Sequence, residues 1–112
     1  MVKTMDRREN PQAALELLIL KTLAAGPNHG FGIALRIDET SSGLLRVEEG
    51  SLYPALHRCE KAGFVGAEWQ VTDKSRRARV YRLTKDGRKR LKEIERSWAA
   101  LNEGIRRVLG WA

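Results

Sequence analysis

Ser51, Tyr53, Pro54, His57 and Arg58 bring two hydroxyls, an imidazole and a guanidinium into one short stretch, interleaved with Leu52, Leu56 and Cys59 at spacings of four and three. On a helix those three form one buried face and the polar set looks outward. A tyrosine and a proline exposed on a helix need a reason. Tyr53 and Ser51 can donate to phosphate oxygens, and His57 or Arg58 can reach base edges, so the pattern suits a helix that enters a major groove. The alternative is structural: Tyr53 packs on a neighbouring hairpin, and Arg58 pairs with Glu60 or Glu48.

Downstream, Lys74, Arg76, Arg77 and Arg79 form a cationic run that could follow a phosphate backbone or place an arginine in a narrow minor groove. The net charge is +7, and residues 72–92 hold ten basic and two acidic residues, leaving 11 basic against 12 acidic elsewhere. All of the excess sits in one block. Such a block draws polyanions and adds affinity more than sequence preference, although an exposed charge run is often only solvated. Arg88, Lys89 and Arg90 are weaker candidates, as are Lys3, Arg7 and Arg8 near the start of the chain.

Catalytic and metal chemistry find little footing. Ser51 has no paired base, and Gly30-Phe31-Gly32 lacks the strand context and third glycine of a dinucleotide site. His29 and His57 lack the companions of a metal site. The expectation is no enzyme, no metal and no cofactor. Cys59 is the one cysteine, which excludes an intrachain disulfide and fits a reducing compartment, so the cytoplasm is the expected location. Its place on the apolar face predicts an inert thiol, with redox sensing as the alternative. The apolar run 15–25 is well short of the roughly 20 residues that span a bilayer, so no membrane association is expected.

The elements that would position these residues follow from local signals. Asn10-Pro11 starts a helix and Gly26-Pro27 stops it, giving a first helix over about 11–25 that is apolar almost all round. A second helix runs from about Gly30 to Ser41, with Ile33, Ala34 and Ile37 on its inner side. Leu44 to Val47 reads as one extended rung, and a third helix runs from near Glu49 to Ala62-Gly63. Val65, Ala67, Trp69 and Val71 alternate with polar residues, as do Arg79, Tyr81 and Leu83, which predicts a hairpin with a charged tip and Trp69 in its core. Thr84 can cap a last helix in which Leu91, Ile94, Trp98, Leu101, Ile105 and Val108 recur at spacings of three and four, the seam of a coiled coil. The fold expected is mainly α with a small β hairpin: a winged helix-turn-helix over 11–84, a dimerisation helix over 85–112, and a flexible arm over 1–10.

At about 24 residues and about 1.5 Å each, the last helix outruns the small domain before it. Its seam calls for a partner, and a second copy of the chain is the simplest, with Leu17 and Leu20 of the first helix as the facing wall. Packing within one chain is the alternative. Trp98 would then lie near its own copy, where two indoles either pack together or flank a planar ligand.

In this order of elements the chain resembles the PadR family of bacterial transcriptional regulators. The resemblance rests on His29-Gly30-Phe31-Gly32-Ile33, on Gly50-Ser51-Leu52-Tyr53-Pro54-Ala55-Leu56, and on Tyr81, Leu83-Thr84 and Gly87, together with Leu20, Leu23, Pro27, Gly43, Arg58, Glu60, Gly63, Trp69 and Arg79. Phe31 stands where the family usually has Tyr, and Cys59 where it usually has Leu. What the resemblance implies is a homodimeric regulator, usually a repressor, on a near-palindromic double-stranded operator. Some members respond to phenolic acids or hydrophobic drugs, so a small aromatic effector at Trp98 is a further expectation. Two other classes stay open: a winged-helix protein-interaction module with an acidic partner, and a non-specific DNA-binding protein.

Overall fold

The computed structural model describes residues 11–71 and 76–111. Lys3, Arg7 and Arg8, expected as a basic arm, and Lys74, expected in the cationic run, lie outside the described residues. Helix α1 spans Pro11–Ala24, strand β1 Asn28–His29, helix α2 Gly30–Thr40, helix α3 Glu49–Lys61, strands β2 and β3 Val65–Val71 and Arg77–Leu83, and helix α4 Lys85–Leu109. The fold is mainly helical with one small antiparallel sheet of order β1-β3-β2.

One core joins the elements. Ile19, Leu20 and Leu23 of α1 meet Ile33 and Ile37 of α2, Leu52, Ala55, Leu56 and Cys59 of α3, Val65 and Tyr81 of the hairpin, and Leu91 and Ile94 of α4. This answers why α1 is apolar on several sides: it is the central helix, with neighbours all round. Ion pairs between Arg90 Nε and Glu16 (2.9 Å) and between Lys21 Nζ and Glu95 (3.1 Å) flank the α1–α4 contact.

Thr84 fixes the start of α4. Its hydroxyl accepts from the Gly87 amide (3.0 Å) and donates to the Gly63 carbonyl (2.7 Å), so one side chain caps α4 and ties it to the end of α3. Gly110, at φ 72°, closes α4 in the left-handed conformation that glycine adopts without strain.

Three expectations need correction. The third strand is Asn28–His29, paired with Tyr81 and Val80, and not Leu44–Val47. After α2 the chain turns through positive φ at Ser42 and Gly43, and the Leu45 amide donates to the Ser41 hydroxyl (3.0 Å), which takes up a donor that a strand would use. Trp69 is not hairpin core: it is 54% exposed, because the hairpin runs on past the edge of the helical core. Of the seam and wall residues, Leu20, Leu91, Ile94 and Leu101 are buried within the chain itself and leave little surface for a partner. The first half of the seam packs on α1, whereas Ile105, Val108, Leu109 and Trp111 stay exposed.

Candidate nucleic-acid interface

Helix α3 is amphipathic in the way its sequence demands. Leu52, Ala55, Leu56 and Cys59 are buried, and Ser51, Tyr53, Pro54, His57 and Arg58 are exposed. Pro54 lacks the amide that would bond to the Gly50 carbonyl, a loss confined to the early, solvent-facing part of the helix. Glu48 sits at the N-cap position with extended backbone and makes no side-chain cap.

Tyr53 combines exposure with a fixed position. Its ring lies over Gly30, the first residue of α2, where an added Cβ would stand 2.7 Å from Tyr53 Cε1 and 2.8 Å from its hydroxyl oxygen. The packing expected against the hairpin is instead against the start of α2, and 44% of the residue still faces solvent. The same end of α2 is capped by His29, whose Nδ1 accepts from the Gly32 amide (3.0 Å).

Between α3 and the hairpin runs an open groove of about 560 Å³, lined by Tyr53, His57, Glu60, Lys61, Arg79 and Tyr81. Burial, with a smaller effect from Glu60 and opposed by Arg79, raises the Tyr81 hydroxyl above its ordinary pKa. Hydroxyls, an imidazole, two cations and the Glu60 carboxylate thus line one cleft beside the exposed face of α3. The hydroxyls, imidazole and cations of this set can donate to phosphate oxygens and to base edges.

The hairpin carries the expected cations unevenly. Arg76 and Arg77 are exposed, but Arg79 Nη2 donates to Glu60 Oε2 on α3 at 2.6 Å. Glu60 therefore takes Arg79, and not Arg58 as the sequence allowed. Arg77 and Arg79 place their guanidinium carbons 4.9 and 5.8 Å from the Trp69 ring centre. The sequence reading set Glu60 against Arg58, Trp69 in the hairpin core and Gly30 only within a motif, and gave none of them a place at this interface. Pairing the hairpin strands through a tip at residues 72–76 would have set Trp69 opposite Arg79, a register that the structure contains.

Cys59 faces the core, and burial, then the nearby Glu16 carboxylate, pushes its thiol up to about 11. No group of three or more His, Cys, Asp or Glu side chains among the described residues is placed to hold a metal ion. No helix there is long and apolar enough to cross a membrane.

Helix, helix, exposed helix and basic hairpin define the winged helix-turn-helix class of DNA-binding proteins. Residues 19–93 match the Transcriptional regulator PadR-like family, and the chain belongs to that family. The family is one of transcriptional regulators, not of enzymes. The chain is 44% identical over 92% of its length to Transcriptional regulator Rv3488 of Mycobacterium tuberculosis, of which it covers 90%. A transcriptional regulator from Clostridium thermocellum has the same fold (TM-score 0.75, 28% identity, 82% of this chain and 89% of that one). Bacillus subtilis PadR in complex with operator DNA shares the fold over 74% of this chain and 47% of that one (TM-score 0.66, 23% identity).

Proposed function

We propose that the chain is a homodimeric, sequence-specific repressor that occupies a near-palindromic operator in cytoplasmic double-stranded DNA and is released by a small hydrophobic or aromatic effector. The observation that carries this reading is the face of α3: Ser51, Tyr53, Pro54, His57 and Arg58 are turned to solvent beside a basic wing with Arg76, Arg77 and Arg79. Bacillus subtilis PadR, which shares the fold, forms a complex with operator DNA, and this supports DNA as the partner.

The second half of α4 supports the dimer. Trp98 is half-buried and Leu101 is already covered within the chain, while Ile105 and Val108 continue the same stripe into solvent at 40% and 88% exposure. A second copy would cover that stripe, with half-buried Leu17 of α1 at its edge. Two recognition helices about a two-fold axis would read half-sites about 34 Å apart. The indole Nε1 of Trp98 is buried with no acceptor among the described residues. An unmet buried donor costs roughly 1–3 kcal/mol, and an oxygen of an effector or of the partner chain would meet it.

Selection of duplexes from a randomised pool supplies the operator for the test. Tyr53→Phe, which keeps the ring over Gly30, weakens binding to the selected duplex by about tenfold with an unchanged melting temperature. Unchanged affinity counts against α3 as the phosphate-contacting helix. Trp98→Ala abolishes release by any aromatic compound that releases the unmodified protein, and a surviving response puts the pocket elsewhere.

A further inference from the structure

Side chains on a strand alternate between two faces, and paired residues of an antiparallel hairpin share one. The register pairs Val65 with Leu83, Ala67 with Tyr81, Trp69 with Arg79 and Val71 with Arg77, so all eight lie on one face. Near the base this face is the one that buries Val65 and Tyr81 in the core. Further out the core ends, and the same face carries an indole and two guanidiniums with no apolar cover.

Each of those side chains has a distinct set of contacts. Arg79 is held by the Glu60 carboxylate on α3 (2.6 Å) and is half-buried, so its guanidinium is committed to joining the wing to the recognition helix. Arg77 has no carboxylate within ion-pair distance among the described residues, and it lies nearer the indole, at 4.9 Å. The negative face of an indole attracts a guanidinium and restricts a long side chain that would otherwise sample many rotamers. A cation ordered before binding gives up less entropy when it meets its partner.

We propose that Trp69 is a positioning residue of the DNA interface, holding the Arg77 guanidinium toward the duplex backbone while the Arg79–Glu60 pair fixes the wing to α3. This rests on the wing meeting DNA as proposed above. It reassigns the wing: Arg77 is the DNA-facing cation, Arg79 is a strut, and half-exposed Trp69 acts through its neighbour and does not itself stack on bases.

A double-mutant cycle on the dimeric full chain separates acting through Arg77 from direct contact. Affinity for the selected duplex is measured by fluorescence anisotropy for the unmodified protein, Trp69→Ala, Arg77→Ala and the double variant. Trp69→Ala is expected to weaken binding at least about threefold when Arg77 is present, and to add less than about 1.5-fold once Arg77 is Ala. Trp69→Phe, which keeps an aromatic face, is expected to recover most of the loss. Arg77→Ala flattens the plot of log affinity against log salt by about 0.9 per wing engaged, the signature of one lost phosphate contact. Equal weakening by Trp69→Ala in both backgrounds overturns the proposal in favour of direct indole contact, and no weakening in either overturns it outright. Thermal melting of each variant excludes unfolding as the cause, and if Trp69→Ala melts early the same cycle is run with Trp69→Leu, which keeps bulk without an aromatic face. Failure of the unmodified protein to select any duplex instead contradicts the parent reading.

Discussion

The Tyr53 ring covers Gly30 so closely that a Cβ there would stand 2.7 Å from Tyr53 Cε1, which makes a glycine on the first helix of the motif part of the setting of a tyrosine on the second. The atoms that would clash are at the far end of the tyrosine side chain, and these can swing away. Gly30→Ala is therefore predicted to cost under about 1 kcal/mol of stability, since alanine also favours the helix, while displacing Tyr53. The expected result is a melting temperature within a few degrees of the unmodified protein and a loss of duplex affinity close to that of Tyr53→Phe. Full affinity would mean that the position of Tyr53 does not matter to binding.

Gly87 is the opposite case. A Cβ at that position collides with the Phe64 carbonyl oxygen, which is backbone and cannot rotate aside, at the junction held by Thr84. Gly87→Ala is predicted to destabilise the fold by about 2–3 kcal/mol, read as a shifted denaturation midpoint. A change below about 0.5 kcal/mol would show that α4 can move away from β2 freely.

The two halves of the α4 seam are predicted to respond differently. Val108→Glu places a charge on the exposed half, and sedimentation equilibrium is expected to show a shift from dimer to monomer with the helical spectrum retained. Leu20→Ala instead opens a cavity in the chain's own core and should cost about 2–5 kcal/mol. A dimer that persists in Val108→Glu would place the interface elsewhere.

Burial raises the Cys59 thiol from 9.0 to about 11, so the folded chain binds this proton more tightly than the unfolded chain does. The associated stability is whole below pH 9.0 and is lost as the pH climbs toward about 11. Urea midpoints are expected to fall over that window and to fall less in Cys59→Ala. At pH 8 the folded thiol should resist alkylation and the urea-unfolded thiol should react. Rapid reaction of the folded protein would restore redox sensing as a role.

The fold was legible wherever one local signal sufficed. Pro11, Gly26 and Gly43 bracket the first two helices, Thr84 marks the start of the last, and the alternation from Val65 to Val71 gives the strand itself. Where partners distant in sequence decide, local pattern failed. Asn28–His29 is too short to carry a period and becomes a strand only because β3 offers it an edge. Trp69 has the spacing of a core residue, but how far the helical core extends beneath it depends on how the hairpin is docked. Leu20, Leu91 and Ile94 share a pattern with Ile105 and Val108, and periodicity does not tell a helix packed on its own chain from one awaiting a second. The outward set on α3 was readable because Leu52, Leu56 and Cys59 fix that helix's buried face.

The central claim is that the outward face of α3 and the wing together read a particular DNA sequence. Fluorescence anisotropy across a salt series, on the duplex selected by the protein and on a scrambled duplex of equal length and composition, tests it most directly. The account predicts a preference of at least about a hundredfold that survives at physiological salt. Equal binding to both duplexes, falling steeply with salt, would contradict it and leave the chain a general binder of polyanions.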